Sequence, residues 1–349
     1  MRSPKVISTT ARPGVKETHF PKRVTIAAKA SGLLDFQPQA KSQPLATYRE
    51  PPLTRVLFKN LETRPFCQLR ETSAMKFAIC NETFQDWPHE KAFHFARELG
   101  YTGMEVAPFT LAGLATEVTA AQRAELRQLA EKADLEIIGL HWLLAKTSGF
   151  YLTTPDKEVR HRTGDYLADL AHLCRDLGGN LMVLGSPLQR NLLPGVTHEQ
   201  ALDLAADCIT RALPTLEECG VTIAVEPLGP QEGDFLNTAA SGADLIERIG
   251  SANVRLHLDV KAMSTETIPI PDLLRTHRSL LHHFHANDPN RQGPGMGEVD
   301  FHPILSTLQE IDYRGWVSVE VFDYTPGVEH LARQSIENLC QVLDDLADE

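Results

Sequence analysis

The chain has 349 residues, 42% of them hydrophobic, and a formal net charge of −12. That length supplies a buried core for one large domain or two ordinary ones. No apolar run approaches the roughly 20 residues of a membrane helix, and the acidic balance argues against non-specific nucleic-acid binding, which needs a basic footprint.

The charge is unevenly spread. Residues 1–74 hold 13 Lys/Arg against 5 Asp/Glu, a charge of +8, and the remainder therefore carries −20. The first 74 residues also contain 8 of the 22 prolines and show no sustained period. This composition predicts a disordered extension. A targeting peptide, a regulatory tail and a stretch upstream of the functional start at Met75 are the competing explanations. The start lacks the charged, apolar and cleavage segments of a secretory signal. The six cysteines are scattered with no CxxC pair, which predicts buried free thiols and a reducing, cytoplasmic location.

From Lys76 the pattern changes. Eight short apolar runs follow, at 76–80, 102–106, 135–141, 180–185, 221–226, 254–259, 280–285 and 316–321. Helical patterns lie between them. The stretch 88–99 opens on Pro88 and stops at Gly100. The stretch 157–177 aligns Val159, Tyr166, Leu170, Leu173 and Leu177 on one face, and 328–346 aligns Leu331, Leu339, Val342 and Leu346. Eight β–α units in about 275 residues match a (β/α)8 TIM barrel, which takes roughly 250. The domain is expected to span 75–349. A doubly wound sheet would place a glycine fingerprint after the first strand, where this chain reads CNETFQDW.

In such a barrel the chemistry sits at the carboxyl ends of the strands. Six of the eight runs carry an ionisable residue at their last or next-to-last position: Glu105, His141, Glu226, Asp259, His285 and Glu320. Alternation puts Glu226 on one face with Ala224 and Thr222, and Glu320 with Ser318 and Trp316; Val225, Val319 and Val321 then face the helices. Buried carboxylates need a cation or donors, and these strand ends offer no Lys or Arg except Lys261. Glu226, Asp259, His285 and Glu320 therefore suggest one divalent ion, Mn²⁺, Mg²⁺ or Co²⁺, since three oxygens and one imidazole suit hard or borderline metals. His257 and His283 lie one layer deeper and read as core histidines or orienters of the ligands. His282 has the opposite parity. His141, followed by Trp142, reads as a substrate contact beside a wall for a sugar ring. The stretch GPGMGE reads as a loop over the site rather than a phosphate cradle, and 184–187 as an ordinary turn.

These residues resemble the xylose isomerase-like barrel superfamily, and within it the ketose 3-epimerase branch, over residues 76–345. The branch takes metal ligands from strands five to eight in the order Glu, Asp, His, Glu, as Glu226, Asp259, His285 and Glu320 stand here. It has a second Glu six residues after the first ligand, matched by Glu232, and an Arg six residues after the His, matched by Arg291. One position departs: the branch usually carries His three residues after the Asp, and this chain has Ala262, with Lys261 beside it. The resemblance implies an isomerase or epimerase acting on a sugar or sugar phosphate through an enediolate. Glu226 and Glu320 would be the catalytic acid/base pair, and Glu232, Arg291, His141 and Glu105 would hold the substrate. Homo-oligomers are common in the family.

Other readings of the same site remain open at this level. A keto-inositol-type dehydratase needs the same metal and base. An aldose–ketose isomerase differs only in where the proton returns. An apurinic endonuclease would want further histidines, and residues 286–301 contain none. A hydroxypyruvate-type isomerase usually has Gln at the position of His285. A non-catalytic sugar-binding barrel would be expected to lose a ligand or one acid/base Glu.

Overall fold

The structure, a computed structural model, describes residues 75–349; the extension read as disordered lies outside them. Eight parallel strands close into a barrel in sequence order. They are β1 (Lys76–Cys80), β2 (Gly103–Val106), β3 (Glu136–Leu140), β4 (Leu181–Leu184), β5 (Thr222–Val225), β6 (Val254–Asp259), β7 (Leu281–Ala286) and β8 (Trp316–Val319). Helices fill the crossovers: α1 (His89–Leu99), α2 (Ala120–Lys132), α3 (Lys157–Leu177), α4 (His198–Thr210), α5 (Leu213–Cys219), α6 (Ala239–Ile249), the single turn α7 (Val260–Met263), α8 (Ile270–His277), α9 (His302–Glu310) and α10 (Val328–Asp348). The (β/α)8 barrel read from the sequence is therefore the fold. Among the described residues no helix is long and apolar enough to cross a membrane.

Local chemistry sets the helix ends. Thr119, Thr197 and Thr238 accept main-chain N–H bonds at the starts of α2, α4 and α6, and Asp156 does so for α3. Gly100 and Gly178 adopt left-handed φ after α1 and α3, where a Cβ would strain the turn.

Side-chain alternation sorts the core. Met182, Leu184, Ile223, Val225, Val319 and Val321 belong to the large cluster under the helices. Their neighbours of opposite parity, Leu181, Val183 and Ala224, form a separate small cluster, which is the barrel interior. Register then stacks the ionisable layers: His257 pairs with His283, and Asp259 with His285. Cys80, Cys174 and Cys208 are buried free thiols and Cys219 is half-buried. Cys340 is disulfide-bonded, so the expectation of free thiols fails there.

Candidate metal centre and active site

Glu226 follows the last residue of β5. Its N–H donates to the Leu184 carbonyl (3.2 Å), and its own carbonyl accepts from the buried Arg190 guanidinium (2.7 Å). Its carboxylate lies against Gly185, where a Cβ would collide with it. The turn at 184–187 is thus shaped around the acid, a role the sequence reading missed. Burial pushes the Glu226 carboxyl well above its ordinary range, and the nearby Glu320 and Asp259 push it further.

Asp259 ends β6 and caps α7. One oxygen accepts from the Ala262 N–H (2.7 Å) and the other from the Asn287 amide (2.5 Å). Asn287 also accepts from the Lys261 N–H (2.9 Å). Asn287 lies two residues beyond His285, so strand parity pointed to it. Glu320 follows β8; one of its oxygens accepts from the Trp142 indole N–H (2.8 Å) and the other lies 3.0 Å from His285 Nδ1. Burial raises the Glu320 carboxyl, but His285 outweighs burial and leaves it below its ordinary range.

Ligand atoms of Glu226, His257, Asp259 and His285 all lie within 4.8 Å of one another. Three of the four expected ligands are thus together, and His257 joins them. Glu320 falls outside that group and meets it through His285; its own group contains Cys80, Glu82 and His141. Two observations fit a cation here. Neither buried ring nitrogen of His257 has a hydrogen-bond partner among the described residues, and its Nε2 stands 3.7 Å from Glu226 Oε1. His285 has a carboxylate at each ring nitrogen, Glu320 at Nδ1 and Glu105 at Nε2, more than one N–H can serve.

The four expected substrate contacts divide. His141 and Glu232 line one pocket together with Glu226, Glu320, Trp142 and Phe322. His141 Nε2 meets Glu82 Oε2 at 2.5 Å, and Glu82 was not singled out from the sequence. Glu232 pairs with Lys261 Nζ at 2.6 Å, and that ammonium lies 4.8 Å over the Phe322 ring.

Glu105 and Arg291 are placed differently. Glu105 is fully buried and sits behind His285, bonded to it at 3.2 Å and to His283 Nε2 at 2.6 Å. The inward layer below the ligands captures it before the cavity can. Arg291 is exposed with φ of 73°; its carbonyl accepts from the N–H groups of Phe322 and Asp323, and its side chain donates to the Phe322 carbonyl at 3.4 Å. The N–H groups of Gly297 and Glu298 at the end of the GPGMGE stretch, and of Val299 just after it, are taken by the Asp288 carboxylate.

Comparison with known proteins places this architecture. A D-psicose 3-epimerase of Agrobacterium fabrum is 37% identical over 110 residues, 32% of this chain and 38% of that protein; this match spans well under half of the relative. A D-psicose 3-epimerase of Enterocloster bolteae is 27% identical over 261 residues, 72% of this chain and 84% of its own. A crystal structure of a D-psicose 3-epimerase in the presence of D-fructose shares the fold with a TM-score of 0.69 at 22% identity, covering 77% of this chain and 99% of that one. The family model of the xylose isomerase-like TIM barrel matches residues 93–342, and the chain belongs to that family.

Proposed function

We propose that this protein is a divalent-metal-dependent epimerase of uncharged ketoses or closely related keto sugars, with Glu226 and Glu320 as its acid/base pair. The observation that carries the reading is that both carboxylates face one cavity beside a cluster of candidate ligand atoms. The epimerase names of the relatives point the same way.

Charge narrows the substrate. Among the described residues lining the cavity are three carboxylates and no Lys or Arg. Lys261 is already paired with Glu232, and Asp288 occupies the loop N–H groups that a phosphate would need. A phosphorylated sugar would meet net repulsion there, whereas hydroxyls can donate to the carboxylates. Trp142 and Phe322, with ring centroids 6.2 Å apart, supply apolar walls.

A divalent ion held by Glu226, Asp259, His285 and Glu320 would polarise the substrate carbonyl and stabilise the charge of the enediolate. One of Glu226 and Glu320 removes the proton from the carbon beside that carbonyl, and the other returns one from the opposite face, inverting the centre. The Trp142 N–H holds Glu320 in place. His141 and Glu232 contact hydroxyls further along the chain.

The test uses the full chain, stripped of metal and reloaded with Mn²⁺, in D₂O with ketoses, ketose phosphates and keto-inositols, followed by NMR. The expected result is metal-dependent deuterium incorporation next to a carbonyl and an epimeric ketose product, with Glu226→Gln and Glu320→Gln each at least 10²-fold slower, the usual scale of acid/base catalysis. An aldose product would move the reading to an isomerase. Loss of water from a keto-inositol would move it to a dehydratase. Turnover of ketose phosphates alone would overturn the charge argument.

A further inference from the structure

His285 has a carboxylate at each ring nitrogen, and a metal ion at one of them leaves the ring a single N–H to place. A neutral imidazole has one N–H and one lone pair. Its Nε2 is 3.2 Å from each oxygen of Glu105, and its Nδ1 is 3.0 Å from an oxygen of Glu320. The two carboxylates have unequal needs. Glu320 already accepts from Trp142 and borders the cavity. Glu105 has no accessible surface, and among the described residues every side chain within 4 Å of its carboxylate with a polar nitrogen is a histidine: His283 at 2.6 Å, His285 at 3.2 Å and His141 at 3.9 Å. A buried carboxylate without donors is costly, so the N–H belongs on Nε2. The Nδ1 position then faces Glu320, and a cation must stand there: a second ring proton in the metal-free protein, the metal ion in its place when the site is filled.

We propose that Glu105 is a positioning residue: it fixes His285 as the Nε2–H tautomer and so aims the Nδ1 lone pair at the metal centre. His283 serves Glu105 in turn, holding the carboxylate from below with its own Nε2–H. This inference rests on the metal reading above, and it replaces the substrate contact that the sequence suggested for Glu105. The general effect is known from metal sites, where the partner of the far ring nitrogen sets both tautomer and ring angle.

Glu105→Gln is the discriminating change because it keeps the shape. An amide has one acceptor oxygen, and its NH₂ must face the other histidine. Either His283 or His285 must then adopt the opposite tautomer or turn away.

The experiment is a long-range ¹H–¹⁵N correlation spectrum of the Mg²⁺-loaded full chain at pH 7.5, with His285 assigned by its loss in His285→Gln. Mn²⁺ and Co²⁺ titrations of wild type and Glu105→Gln by calorimetry accompany it, with a thermal melt to establish folding. The expected result is an Nε2–H tautomer of His285 in wild type and a 10–100-fold weaker metal affinity in Glu105→Gln. An Nδ1–H tautomer in wild type would overturn the inference, whether or not the variant folds. So would a folded Glu105→Gln that binds metal within twofold of wild type. Failure of wild type itself to bind any of these ions would sink the metal reading, whereas wild type that binds metal with the His285 proton on Nδ1 would sink only the role of Glu105.

Discussion

At the scale of single residues, the site depends on a missing atom and a strained one. Gly185 has no Cβ, and the Glu226 carboxylate occupies the space where one would be. Gly185→Ala must displace that carboxylate, because the clash is with the acid group rather than with a surface side chain. Activity is expected to fall about 10²-fold, the scale of a 1 Å misplacement, while the melting temperature of the chelated protein stays within a few degrees. Normal activity would show that Glu226 can work from another position. Trp142 adopts φ of 53°, a region that bulky residues rarely occupy, and its indole N–H is the donor to Glu320. Trp142→Phe keeps the wall and loses the donor. The expected outcome in steady-state kinetics is kcat reduced about tenfold, one charge-assisted hydrogen bond of roughly 1.5–3 kcal/mol, with KM nearly unchanged. A change in KM alone would make Trp142 a wall and nothing more.

At the scale of elements, the loop after β5 and the short α7 are joined by one buried ion pair, Glu232 to Lys261. The two ends are unequally covered: the Lys261 side chain is 8% exposed and that of Glu232 26%. Removing the acid takes the hydrogen-bond partner from a buried ammonium and leaves it the more distant charges of Asp259 and Glu320, whereas removing the ammonium leaves an acid that water can reach. Glu232→Ala should therefore destabilise more than Lys261→Met. The expected costs in urea unfolding are about 3 kcal/mol for the first and about 1 kcal/mol for the second, following the penalty for orphaning a buried charge. The reverse order would mean that the pair is solvated. This pair also marks where sequence reading stops. Strand positions, inward parity and the gathering of Glu226, Asp259 and His285 follow from alternation and from ligand order along four strands, both local properties. That Lys261 would turn to Glu232 rather than to substrate, and that Glu105 would be captured by two histidines from β7, depends on barrel closure. Closure brings β2 opposite β7, and no period in the chain encodes that distance. Arg291 is set apart for a related reason: its offset from His285 matches the family, while its left-handed backbone and the bonds its carbonyl accepts from Phe322 and Asp323 leave the residue exposed.

At the scale of the whole molecule, the barrel floor concentrates ionisable groups where most proteins put only aliphatic ones, and this makes acid the expected weak point. His257 is fully buried, and burial holds its imidazole well below the ordinary 6.5, with His285 and His283 adding to the effect. Below pH 6.5 the unfolded chain binds a proton at this residue that the folded protein refuses. Stability then rises with pH in that window and is lost as pH falls from 6.5 toward the folded value. His285 has the opposite sign. Burial lowers it, but Glu105 and Glu320 outweigh burial and hold it well above 6.5, so its contribution is complete below 6.5 and fades as pH rises through its folded value. The two can be separated by slope. In the presence of chelator, urea unfolding between pH 7.5 and 5 should show wild-type stability falling more steeply with falling pH than that of His257→Asn. The difference in slope should approach about 1.4 kcal/mol per pH unit, the linkage limit for one proton. The absolute offset between the two proteins is immaterial, since the cavity and the new amide shift every pH equally. Parallel curves would mean that His257 finds its proton partner in the folded state, and the unpartnered ring that supports a cation at this site would lose its meaning.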